Sequence, residues 1–299
     1  MNTSPNVRTF APEFWGEVDK FTQFYGQTHD FKPDAKKAVS GVKGHFNKAL
    51  TLRDLAAKLA PNLKIDSAEL QEKGFTGAVN AQEFSAVIEE VFTELYSSID
   101  CARKVIVAIY KHCQRIPDST RKLFLRAANG EIGGFPPELQ AAFVAATWYV
   151  ELRDIRDELT HSNIGSCHQS HGTNEISYMH QGLVRNAKPL VIPDVFKKID
   201  ELFAGVNHFL GHVFNFLNKG LKVEPTDVVC GFFHGRCYIR RLAIADHIDF
   251  NSGVCQSNRW FDAEPAYRCP FASSCGAYAR ASQESEGPFS GAEPTPNVN

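Results

Sequence analysis

The residues best suited to chemistry on a phosphodiester lie in one helical stretch, Arg153-Asp-Ile-Arg156-Asp157-Glu-Leu-Thr160-His161. A guanidinium such as that of Arg156 offers forked donors to phosphate oxygens and keeps its charge near neutral pH. The imidazole of His161 takes or gives a proton near pH 7. Together they would activate a ribose 2′-hydroxyl and stabilise a charged phosphorane without a metal. Asp157, four residues before His161, is placed to orient the imidazole or raise its pKa. Arg153 and Thr160 are candidate substrate contacts. At about 100° per residue, Trp148, Leu152, Ile155 and Leu159 form the expected buried stripe. Arg153, Asp157, Thr160 and His161 fall opposite it, with Arg156 at its border, on a face free to meet solvent, a ligand or a second subunit. The plainer alternative is a solvated face with weak ion pairs.

The cysteines form a second inventory. Cys101, Cys113 and Cys167 are scattered, whereas Cys230, Cys237, Cys255, Cys269 and Cys275 crowd the C-terminal quarter, with His234 and His247 nearby. Thiols in a reducing compartment more often hold metal than form disulfides. Four of them would suit a structural zinc that folds a module lacking a large core. None of the gaps is the two-residue CxxC knuckle. Pro270 beside Cys269 also permits an iron–sulfur cluster, and small buried thiols around Phe232, Phe233, Tyr238 and Trp260 are the third reading. Closer to the helix, Cys167, His168, His171 and His180 could share a metal, with His161 joining them. His208 and His212 stand four apart, as chelating histidines do, but away from the apolar stripe, which favours ordinary surface histidines.

A net charge of −2 gives no bulk attraction to nucleic acid. Local basic clusters do occur: Lys36, Lys37, Lys43 and Lys48 in one, Arg236, Arg240 and Arg241 in the other. Phosphate-loop, dinucleotide-binding, nucleophile-elbow and HExxH signatures are absent, which removes support for kinase, Rossmann and zincin chemistry. The first 14 residues are polar and proline-bearing where a secretion signal needs an apolar run. No stretch approaches the roughly 18 apolar residues of a membrane span. The expectation is a cytoplasmic protein with no membrane partner.

Helices must position these groups. The periodicity predicts helices over residues 12–25, 34–50 and 51–59, then a long one from Asn80 with Glu83 closing its N-terminal turn, its apolar run reaching Ile109. A short helix over 120–128 follows, then a long one from Pro136 or Pro137 to about residue 162. Residues 175–180 and 190–192 read as a β-hairpin, and 193–221 as the last long helix. The expected fold is mainly α: an antiparallel helical bundle with a small β-hairpin insertion and a Cys-rich C-terminal module. The divisions are an N-terminal helical extension over 1–75, the bundle over 76–225, the Cys-rich module over 226–281 and a disordered tail over 282–299.

Arg156-Asp-Glu-Leu-Thr-His161 resembles the signature of the HEPN superfamily, an arginine, a polar residue, three more residues and a histidine on a long helix of an α-helical bundle. The resemblance covers roughly residues 80–221. It implies a metal-independent endoribonuclease that acts on RNA, often as a toxin–antitoxin or antiviral-defence effector with an antitoxin or defence partner. It also implies a homodimer in which two copies of the motif make one active site. By that resemblance Arg156 holds the scissile phosphate, His161 is general acid or base, and Asp157 takes the polar position. Catalysis would need no cofactor, leaving zinc as a structural expectation only. The family also includes members that bind without cutting, so the alternative is a non-catalytic helical RNA- or protein-binding scaffold with a zinc-stabilised C-terminal module.

Overall fold

The computed structural model describes residues 16–161, 164–170, 175–185, 188–222, 224–243 and 251–285. His171 and His247 lie outside the described residues. The protein is mainly α, with two small three-stranded antiparallel sheets, and divides at residue 220 into two compact units.

The first unit is organised around α4 (Val79–Ile109), a 31-residue helix whose Phe84, Ile88, Val91, Phe92, Leu95, Ile99, Ala102 and Ile106 are buried. Each such side chain contributes about 1.5–3 kcal/mol relative to exposure. The predicted capping box is replaced by a cap from another helix. Asp66, on α3 (Leu63–Lys73), accepts hydrogen bonds from the Ala81 N–H at 2.8 Å and the Asn80 side-chain amide at 2.6 Å. A carboxylate at this end satisfies orphan donors and complements the positive pole of the helix.

The N-terminal helices, α1 (Glu17–Phe24) and α2 (Pro33–Leu59), belong to this same unit, and α2 runs along α4. The two helices expected over 34–59 are one continuous helix of 27 residues. The helix passes through Thr51, whose hydroxyl donates back to the Asn47 carbonyl at 3.0 Å. The unit also holds α5 (Thr120–Ala128) and α8 (Val195–Asn218). Asp194 caps α8 by accepting from the Lys197 N–H at 3.1 Å, and the apolar stripe of α8 is buried from Val195 to Leu217.

The long helix expected from Pro136 is two helices, α6 (Pro137–Ala145) and α7 (Tyr149–His161). A continuous helix would carry the buried series Leu139, Phe143 and Ala146 on to Val150. The break shifts the phase so that Tyr149, Leu152 and Ile155 are buried and Val150 faces outward. Leu159 is half-buried.

The predicted hairpin is a three-stranded sheet. β1 (Ser166–Gln169) pairs with β2 (Ile176–Arg185), which pairs with β3 (Lys188–Ile192); Tyr178 faces both Cys167 and Ile192.

The second unit carries β4 (Thr226–Phe233), β5 (Arg236–Leu242) and β6 (Val254–Cys255) in an antiparallel sheet. The turn between β4 and β5 has positive φ at His234 (51°) and Gly235 (72°), as a two-residue hairpin turn requires. Two helices follow, α9 (Asn258–Ala263) and α10 (Gly276–Ser285). Residues 282–285 of the expected tail close α10; the rest of it lies outside the described residues. The core is small, Tyr238 and Ala272 surrounded by Phe233, Cys255, Trp260, Cys269 and Tyr278.

Candidate functional site

Two anchors set the position of α7. At its start Trp148 lies against Gly205 of α8, where an added Cβ would come within 2.5 Å of the indole. Beside it Tyr149 stacks on Phe124 at a centroid distance of 3.6 Å and meets Tyr96 of α4 at 6.2 Å. Burial is the main cause pushing the Tyr149 hydroxyl well above the ordinary tyrosine range.

The polar face stands on this aromatic platform. The Arg156 guanidinium carbon is 4.8 Å from the centre of the Tyr96 ring, and its Nη1 donates to Asp157 Oδ1 at 3.0 Å. Arg156 is therefore held between a π-face and a carboxylate while its side chain stays about a third exposed. His161 is the last residue of α7 and exposed, and no hydrogen bond or ion pair holds it among the described residues.

Of the predicted set, the structure joins Arg156 to Asp157; the Asp157 carboxylate is bonded to that guanidinium, and no bond joins it to His161. Thr160 donates its hydroxyl to the Arg156 backbone carbonyl at 2.8 Å, inside its own helix. Arg153 donates from Nε to Asp154 at 2.9 Å. No side-chain hydrogen bond joins Arg156 to His161 among the described residues; Arg156 is half-buried and His161 exposed.

The sheet just after the motif is tied to α4 by two residues that no sequence pattern singles out. Ser85 Oγ accepts from the Cys167 N–H at 2.8 Å. One turn on, Glu89 Oε1 accepts from the Gly165 N–H at 2.5 Å and the Tyr178 hydroxyl at 3.1 Å. Burial pushes the Glu89 carboxyl above its ordinary range, opposed by those two bonds and by His180. A Ser and a Glu four apart inside an apolar helical run are the only trace of this anchor in the sequence.

Among the described residues, the suggested metal set around Cys167 does not assemble; His171 lies outside them. Strand alternation buries Cys167, whose thiol burial pushes up to about 12, and turns His168 outward to Ser166 Oγ at 2.9 Å. His180 is buried on β2. His208 and His212 are exposed on α8 with their rings stacked at 6.4 Å.

The basic clusters are largely spent on ion pairs. Lys43 binds Asp19 at 2.7 Å, Lys48 binds Glu94 at 2.7 Å and Glu90 at 2.9 Å, and Arg53 pairs with Asp200. Arg241 pairs with Asp227 and Arg236 with Glu264, while Arg240 donates to the Ser252 carbonyl at 3.1 Å.

In the second unit, Cys230, Cys255, Cys269 and Cys275 line one cavity of about 310 Å³. Cys237 does not line it, although its β5 neighbours Tyr238, Ile239 and Arg240 do.

Comparison of the chain with known protein families, curated proteins and solved structures returned no match. No helix among the described residues is long and apolar enough to cross a membrane.

Proposed function

We propose that the protein is a metal-independent endoribonuclease of the HEPN type, with an antiparallel helical bundle presenting Arg156 and His161 from each of two subunits to one RNA site. The observation that carries this reading is the support of Arg156 by Tyr96 and Asp157 on a helix that leaves His161 exposed at its end. Arg156 has donors left over for a phosphate, since one nitrogen meets Asp157 and a guanidinium carries five N–H groups. His161 removes a proton from the 2′-hydroxyl or returns one to the leaving oxygen. That no hydrogen bond joins Arg156 to His161 within one chain fits a composite site, in which the histidine of one copy works with the arginine of the other. Its biological setting would be a toxin or antiviral-defence effector with an antitoxin or defence partner.

The test is cleavage of a panel of single-stranded RNAs in the presence of EDTA. Wild type is expected to cut, and His161→Ala and Arg156→Ala to lose activity while remaining folded dimers. Wild type and His161→Ala equally inert across the panel would sink the enzymatic reading and leave the RNA- or protein-binding scaffold.

A further inference from the structure

The cysteine-rich unit places four thiols around a space rather than at a point. Cys230 comes from β4, Cys255 from β6, and Cys269 and Cys275 from the turns between α9 and α10. Cys230 arrives there through a bulge. Val229 pairs with Ile239 and Gly231 with Tyr238, so Cys230 is the extra residue, and bulges of this kind re-aim a side chain. Gly231 is part of the device, because a Cβ there would lie 2.8 Å from the Phe233 ring that closes the same cavity.

Tetrahedral zinc needs its four sulfurs converged at about 2.3 Å from one ion. Among the described residues, no three His, Cys, Asp or Glu side chains come together that way. The cavity has instead a volume of about 310 Å³ and four thiols on its wall. A cubane iron–sulfur cluster brings its own volume and spreads its cysteine ligands around it.

Two features of the surroundings agree. Phe233, Tyr238, Phe271 and Ala272 give the cavity an apolar shell. Arg240 lies on its wall, a positive charge beside the net negative charge that four thiolates leave on such a cluster.

We propose that Cys230, Cys255, Cys269 and Cys275 ligate a cubane iron–sulfur cluster that staples the C-terminal unit, and that Cys237 is not a ligand. Loading from a preassembled thiolate-ligated cluster is ligand exchange with no change of oxidation state: each cysteine loses its S–H proton as its iron–sulfur bond forms, and the donor thiolate displaced from that iron takes up the proton. The small core of Tyr238 and Ala272 gives the unit reason to need such a staple.

The test uses the full chain, expressed with added iron and purified without oxygen. Iron and acid-labile sulfide are expected in equal amounts, about four of each per chain, with a broad visible absorption that dithionite bleaches. Serine at any one of the four positions should remove most of the iron, whereas Cys237→Ser and Cys113→Ser should keep the wild-type load. For variants that precipitate, a second measurement uses wild type alone: alkylation of empty and reconstituted protein, read by mass spectrometry. Loading should lower labelling at the four cavity cysteines and leave Cys237 unchanged. A single zinc with no iron overturns the cluster. Protection of Cys237 on loading overturns the ligand set.

Discussion

The guanidinium of Arg156 rests over the ring of Tyr96, 4.8 Å from its centre. One residue comes from α7 and the other from the middle of α4, so the strongest candidate for phosphate binding takes its position from the core helix of the unit. Such contacts contribute about 0.5–2 kcal/mol, rising with desolvation. If Arg156 holds a phosphate, Tyr96→Phe keeps the π-face and near-wild-type RNA cleavage. Tyr96→Leu should lower kcat on the order of tenfold to a hundredfold through misplacement of the guanidinium. Single-turnover cleavage by the folded variants checks this. Equal rates for Phe and Leu would remove the ring from any positioning role.

Glu89 offers a pH test. Its folded-state pKa is raised by burial, so its protonated form favours the folded state. That stabilisation is present below the unfolded-state value and is lost as pH rises through the folded-state value. Glu89→Gln keeps an acceptor for the Gly165 N–H and the Tyr178 hydroxyl but cannot ionise. Urea unfolding should show the variant losing less stability than wild type as pH rises through the range just above ordinary carboxylates. Glu89→Ala leaves both donors without an acceptor and should cost about 1–3 kcal/mol.

The opposite sign holds at Glu94. Burial would raise its pKa, but Lys48 at 2.7 Å and His45 at 2.6 Å outweigh it and hold the carboxyl below its ordinary range. The resulting stability is present above the unfolded-state value and is lost as pH falls through the folded-state one. Lys48→Met should lower Tm near neutral pH and shrink the gap between Tm at about pH 7 and about pH 4. A gap as large as in wild type would show that Lys48 does not set the Glu94 titration.

Gly205 tests the seat of α7. Gly205→Ala drives a methyl group to within 2.5–2.7 Å of the Trp148 indole, so the ring or the helix must shift. A loss of about 1–3 kcal/mol is expected, as for overpacked cores. Denaturant midpoints with an unchanged m-value are the measurement, and a stability equal to wild type would mean that Trp148 is free to turn away.

Much of the fold was legible in the periodicity. The apolar runs marked α4 and α8 to within a residue or a few at each end, because a buried stripe must repeat every three or four residues. The break between α6 and α7 escaped it, since 137–161 reads as good helix throughout and only the packing of Tyr149 against Phe124 selects the phase. The β4–β5 hairpin is not predicted, because Phe232 and Phe233 read only as surroundings for the cysteines. The cap from Asp66 and the anchor at Ser85 and Glu89 had no local signature, because their partners are distant in the chain.

The sequence by itself determined the mainly helical class, the polar set from Arg153 to His161 at the end of one helix, and the inventory of C-terminal thiols. Those follow from residue type and short spacing, which local geometry turns directly into faces. The tertiary structure alone decided that Tyr96 supports Arg156 and that Asp157 bonds to this guanidinium with no bond to His161. It alone chose four of the five crowded cysteines for one cavity and placed Cys237 outside it. A bulge at Cys230 and a neighbouring helix under Arg156 contribute to those choices, because chain folding rather than spacing brings distant side chains together.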